Sequence, residues 1–93
     1  MALEITYWTA SKSNPNVPGA VISAESLTIS GTSAQSAATP ANAVFVSINA
    51  TEAARFDYGG TNPTASAADA YMASGERLWL DAVALNKVAG ITA

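Results

Sequence analysis

Short runs of aliphatic, β-branched and aromatic residues follow one another closely in the second half of this chain, each ended by Gly, Pro, Asn or Asp. That cadence limits the fold more than any other feature. Val44-Phe45-Val46-Ser47-Ile48 comes first, then Ala54-Arg55-Phe56-Asp57-Tyr58-Gly59, a turn at Asn62-Pro63-Thr64-Ala65, Arg77-Leu78-Trp79-Leu80, and Lys87-Val88-Ala89-Gly90-Ile91. Runs of this length bounded by turn formers read as strands. With the strands of the first half they predict an all-β fold, a small antiparallel β-sandwich or barrel of about seven to eight short strands.

The first half fits the same architecture with weaker signals. Residues 3–9 place Leu3, Ile5 and Tyr7 on one period-2 face, which predicts a first strand. Residues 10–19 are dense in Ser, Asn, Pro and Gly and predict a loop in which Pro15 and Pro18 each fix φ. Residues 20–29 alternate loosely and predict one strand with a bulge, or two pieces broken near Glu25-Ser26. Residues 30–42 are small and polar, as a flexible linker would be. Inside a compact domain so long a structureless stretch is uncommon, so part of it is expected to pair as an edge strand or to cross over the sheet. Residues 65–72 are ambiguous: alanine and a Ser66-x-x-Asp69 cap suit a helix, but it would span barely two turns between β neighbours, and a strand is expected. Residues 77–83 set Leu78, Leu80 and Ala82 against Trp79, Asp81 and Val83.

A chain of 93 residues reads as a single domain, residues 1–93. Hydrophobic residues make up 49% of it, but alanine is the commonest and removes little area from water. The core is therefore thin, and small domains of this kind draw stability from disulfides, metals or other subunits. Cysteine and histidine are both absent, which excludes disulfides and the two preferred zinc ligands. Subunit assembly is the remaining staple, and a homo-oligomer is expected. Net charge is −3, with Lys12, Arg55, Arg77 and Lys87 the only cations. That is no basic stripe, so direct nucleic-acid binding is not expected. No apolar stretch approaches the length that spans a bilayer, and Met1-Ala2-Leu3-Glu4 does not open like a signal peptide, so synthesis in the cytoplasm without a membrane partner is expected.

No residue pattern points to catalysis, a cofactor or a metal. Ser-His-Asp chemistry lacks its base, and Ser11-Lys12 is adjacent rather than at the S-x-x-K spacing that puts both groups on one helical face. Asp57, Asp69 and Asp81 recur every twelve residues, a spacing explained by solvent-facing strand ends. Gly59-Gly60 is better explained by a turn needing positive φ than by anion binding. Asn49-Ala50-Thr51 matches a glycosylation sequon, read as a coincidence of composition. Trp8 and Trp79 lie on the parity opposite to their apolar neighbours. They are either exposed for a subunit or partner, covered by a second layer, or returned to the core by a bulge. Tyr7, Trp8, Tyr71 and Trp79 are the candidate protein-interface residues, because Trp and Tyr are enriched at such surfaces.

The run from Val44 to Ile91 resembles the C-terminal half of small structural proteins from the heads of tailed bacteriophages. The likeness lies in the strand leading to an aromatic-rich segment, in Gly59-Gly60-Thr61-Asn62-Pro63-Thr64-Ala65, in the turn at Gly75 and in the closing Lys87-Val88-Ala89-Gly90-Ile91. It covers about half of the chain, while the first half shares only the Ala, Ser and Thr-rich style of capsid decoration proteins. The last two strands read as a hairpin, and the chain departs from the usual pattern in its turn at Ala84-Leu85-Asn86, where Pro-Gly or Gly-Asp would be more typical. The resemblance implies a non-enzymatic decoration or cement protein on the virion's capsid surface, made in the bacterial host cytoplasm. Its implied partner is the major capsid protein or another virion protein, and its implied assembly is a trimer. The other reading is a head-to-tail or tail-tip component, such as a carbohydrate-binding module in which Trp8, Trp79 or Tyr71 stacks on sugar rings.

Overall fold

The computed structural model describes residues 2–14 and 16–93, so the expectation for Pro15 lies outside the described residues. The strands are β1 (Ala2–Ala10), β2 (Pro18–Thr28), β3 (Ala34–Gln35), β4 (Phe45–Ala50), β5 (Ala54–Tyr58), β6 (Ala70–Met72), β7 (Arg77–Asp81) and β8 (Val88–Thr92). They form two four-stranded sheets, sheet A in the order β2-β1-β4-β7 and sheet B in the order β3-β8-β5-β6, with every pairing antiparallel. The fold is the β-sandwich that the cadence predicts.

Period-2 alternation decides what each strand buries. Leu3, Ile5 and Tyr7 of β1, Val46, Ile48 and Ala50 of β4, Ala54 and Phe56 of β5, Met72 of β6 and Val88 of β8 fill the space between the sheets, with Leu27 and Ile29 closing one side. Leu78 and Leu80 of β7 lean on this core but remain partly exposed. Val44, grouped by parity with Val46 and Ile48, lies just before β4 and is 42% exposed.

The irregular segments sit differently from several expectations. Strand β2 is continuous through Glu25-Ser26; its irregularities fall at Ile22, where the pairing slips from Tyr7↔Ser23 to Trp8↔Val21, and again between there and Ala10↔Pro18. Residues 30–42 carry the chain from sheet A to sheet B and contribute the edge strand β3, so the crossover reading holds. Of residues 65–72 only Ala70–Met72 is strand. Ser66 N–H donates to Asp69 Oδ2 at 2.7 Å and Asp69 N–H to the Ser66 carbonyl at 3.1 Å, so the cap forms a single turn and no helix follows. Nor do β7 and β8 form a hairpin: the first pairs with β4 in sheet A, the second with β5 and β3 in sheet B.

The link between them passes through Leu85, whose φ of 71° lies in the left-handed region and whose side chain is 63% exposed. This is the position where the sequence lacks a glycine-bearing turn. An L side chain pays about 1–2 kcal/mol there, and exposed leucine recovers little of it by burial. Leu85→Gly is expected to raise stability by about 1 kcal/mol in urea denaturation, with the slope of the transition unchanged. Gly60, at φ 63°, meets the same demand with no side chain.

Candidate functional site: the outer face of sheet A

The two sheets treat their outer faces differently. On sheet B, residues 59–69 lie across the strands as a strap. Gln35 Nε2 donates to Asn62 Oδ1 at 2.7 Å and to the Pro63 carbonyl at 2.9 Å, Ala65 N–H donates to Ser33 Oγ at 2.9 Å, and Arg55 Nη1 donates to the Asp69 carbonyl at 3.0 Å. Pro63 and Ala65 are buried as a result, and Ala89, on the outward parity of β8, has no exposure. Sheet A has no such strap among the described residues.

What sheet A presents follows from its register. Trp8, Phe45 and Asp81 form one row across β1, β4 and β7; Thr6, Ser47 and Trp79 form the next; Glu4, Asn49 and Arg77 form the third. Trp8 and Trp79 are separated by the whole width of β4, yet their ring centroids are 5.5 Å apart, tilted by 49°. They meet because the residue between them is Ser47, small enough to lie beneath both rings and buried to 4% exposure. The Ser47 hydroxyl accepts a hydrogen bond from Trp8 Nε1 at 3.0 Å, so covering Trp8 leaves no orphaned indole donor. Trp79 remains 45% exposed, the Arg77 guanidinium lies 6.0 Å from its ring centroid, and Arg77 Nε donates to Asn49 Oδ1 at 3.0 Å. Toward the other end, Asn16, Pro18, Phe45 and Trp79 line an open cleft of about 410 Å³. An apolar aromatic centre with a rim of Glu4, Asn49, Arg77 and Asp81 is the composition of a protein-docking surface.

The four candidate interface residues therefore do not form one site. Trp8 and Trp79 meet on sheet A. Tyr71 lies on the other side of the sandwich, on edge strand β6, 52% exposed with the Arg55 guanidinium 5.3 Å from its ring centroid. Tyr7 presents no surface at all: at 2% exposure it is part of the core, because it shares the inward parity of Leu3 and Ile5. Ser47, which lets the indoles meet, was legible only as a polar residue on the outward parity of β4. The three aspartates also lie apart, Asp57 on β5, Asp81 on β7 in the other sheet, and Asp69 held in its turn by Ser66.

The Tyr7 hydroxyl is buried without a hydrogen-bond partner among the described residues. Ser36 and Thr39 face it but are engaged elsewhere: Ser36 Oγ donates to the Ala37 carbonyl and accepts from Val88 N–H, and Thr39 Oγ1 donates to the Asn86 carbonyl beside the Tyr58 hydroxyl. Loss of water around the group pushes its pKa above the ordinary 10.0, and the nearness of Ser36 and Thr39 only eases that shift. The unfolded chain loses this proton at a lower pH than the folded one, so the associated stability is present below pH 10 and is lost as pH rises from there through the folded value. Tyr7→Phe is expected to remove that alkaline loss. At neutral pH it should be neutral or stabilising by up to about 1 kcal/mol, since it deletes an unpaired buried hydroxyl. Thermal melts of both chains at neutral pH and above pH 10 check it.

No protein-family model matches the sequence, and neither the curated proteins nor the solved structures searched give a match.

Proposed function

We propose that this chain is a non-enzymatic structural protein that works by docking the outer face of sheet A on a larger protein assembly. The observation that carries this reading is the asymmetry of the sandwich: one outer face is crossed by the chain's own strap, which leaves Tyr71 exposed only at its edge, while the other leaves paired indoles and Phe45 open with a polar rim. The resemblance of residues 44–91 to phage head proteins supplies the assembly, a capsid lattice that the protein decorates and stabilises from outside. The small size of the chain agrees with it, because a domain of 93 residues buries a limited core and gains from being held by neighbours. Mass spectrometry of purified virus particles, with localisation by cryo-electron microscopy, tests the proposal. The expected result is the protein on the capsid exterior with sheet A turned toward the lattice; absence from mature particles would refute the assignment.

A tail-associated, sugar-binding role is the second reading, favoured by the cleft beside Trp79. A pyranose ring stacked on that indole would place its hydroxyls near the Asn16 amide. A glycan array read with the wild type and with Trp79→Ala separates the two readings, since only the second expects a signal that the substitution abolishes.

A further inference from the structure

A sandwich has four edge strands, each an open row of backbone N–H and C=O groups that a second strand can use, and three of these four are blunted. Strands β3 and β6 are only 2 and 3 residues long. Strand β2 is 11 residues long but begins at Pro18, bulges at Ile22 and turns the Glu25 carboxylate inward, where it accepts from Ala37 N–H. Strand β7, Arg77–Asp81, has no proline, no bulge and no inward charge; its inward residues are Leu78 and Leu80, both only partly buried.

The hydrogen-bond phase of β7 fixes which groups face outward from the sheet. Ala50 N–H donates to the Glu76 carbonyl and Ala82 N–H to the Val44 carbonyl, both at 3.0 Å, in register with the β4–β7 ladder. In an antiparallel pair the bonded positions alternate, so Leu78 and Leu80 bond to β4 while the N–H and C=O groups of Arg77, Trp79 and Asp81 point to the free edge. The same three residues carry a positive charge, an indole and a negative charge in that order. We infer that β7 pairs antiparallel with β7 of a second copy of this chain, across a two-fold axis at Trp79, joining two A sheets into one. This goes beyond the docking face, stands independently of it, and sets a two-fold assembly in place of the trimer that the resemblance implies.

Only this register satisfies everything at once. A strand read against its own reverse sets Trp79 opposite Trp79, Arg77 opposite Asp81 and Leu78 opposite Leu80. The first two kinds of pair are the bonded positions, so every free-edge group of Arg77, Trp79 and Asp81 finds a partner. Both Arg77–Asp81 pairs bring opposite charges together on the outer face, an arrangement that stabilises adjacent strands. The leucines cover each other on the core side. A slip by one residue would set Trp79 opposite Leu78 or Leu80 of the other copy, so that the outer face of one ran into the core face of the other. The interface is isologous and closed, so pairing stops at two copies. It also brings the Trp8–Trp79 clusters of both copies side by side on one outer face.

Charge reversal tests the pairing in the full-length chain. An edge this short makes a small interface, so sedimentation equilibrium is run up to about 1 mM. The expected particle has twice the 9.4 kDa chain mass. Arg77→Asp and Asp81→Arg alone each place like charges opposite one another and are expected to weaken the dimer about tenfold or more. The double variant R77D/D81R restores opposite pairs and is expected to restore the dimer, a rescue that a mere folding defect would not show. In hydrogen exchange by NMR, the amides of Arg77, Trp79 and Asp81 gain protection with concentration, while those of Leu78 and Leu80 are already protected in the monomer. A monomer at the highest concentration, a three-copy particle, a double variant no better than the single ones, or a dimer whose odd-numbered amides stay unprotected would each overturn the inference.

Discussion

Ile48→Ala is expected to lower the unfolding free energy by about 2–5 kcal/mol and the melting temperature by about 10–30 °C. Ile48 has no exposure and sits on β4, the inner strand that pairs with β1 and β7 at once, opposite Ile5 and Leu78. Removing its branched side chain loses the transfer free energy of three carbons and leaves a void that two hydrogen-bonded neighbours hold open. Guanidinium or thermal denaturation of the two chains gives the number; a cost below about 1 kcal/mol would mean that the sheets are not packed as described. Ile48→Val, which keeps the branch and most of the volume, should cost only about 0.5–1.5 kcal/mol.

Gly90→Val is the second large effect, and here two rules disagree in sign. Valine is a better strand former than glycine by up to about 1 kcal/mol, which by itself predicts stabilisation of β8. Packing predicts the reverse. A Cβ at Gly90 would lie 2.7 Å from Leu3 Cδ1 and 2.9 Å from Ile29 Cγ2, both on side chains that are themselves buried. Overpacking of this kind costs about 1–3 kcal/mol, and the two methyls beyond Cβ put the substitution at the upper end. Net destabilisation of about 2 kcal/mol is therefore expected by denaturant titration. A stabilised Gly90→Val would show that the two sheets stand further apart at this point.

Alternation in the sequence carried the face of most strand side chains, Val44 before β4 and Val21 beyond the bulge in β2 excepted, but not the sheet to which each strand belongs. Leu3, Ile5, Val46, Ile48 and Phe56 are inward as their parity requires, and Trp8 and Trp79 are outward. Parity is a property of neighbouring residues along one strand, so it survives whatever the loops do. Sheet membership is decided by the links, and these cross between sheets after β2, β3, β4, β6 and β7. Nothing in the cadence distinguishes a hairpin turn from a crossing of similar length, which is why β7 and β8 read as a hairpin and are not one. The meeting of Trp8 with Trp79 was hidden for the same reason, since it needs β4 to run between β1 and β7.

The strap over sheet B had a different obstacle. Its buried residues are Pro63 and Ala65 against Ala89, small side chains that carry little hydrophobic signal, and its hold is a set of side-chain to backbone bonds from Gln35, Ser33 and Arg55. Composition marked residues 59–64 as a loop, but not as a cover. Tyr7 shows the opposite case, where residue type pointed outward to an interface while parity with Leu3 and Ile5 pointed inward; burial followed parity, at the cost of an unpaired hydroxyl.

The proposed function requires that sheet A's outer face docks on the assembly while sheet B's, crossed by the strap, does not. Hydroxyl-radical footprinting of the free chain and of the chain in its assembled state tests it most directly, because aromatic side chains report both faces in one experiment. Trp8, Phe45 and Trp79 are expected to lose reactivity on assembly while Tyr71 keeps it. Protection of Tyr71 with Trp79 unchanged would contradict it.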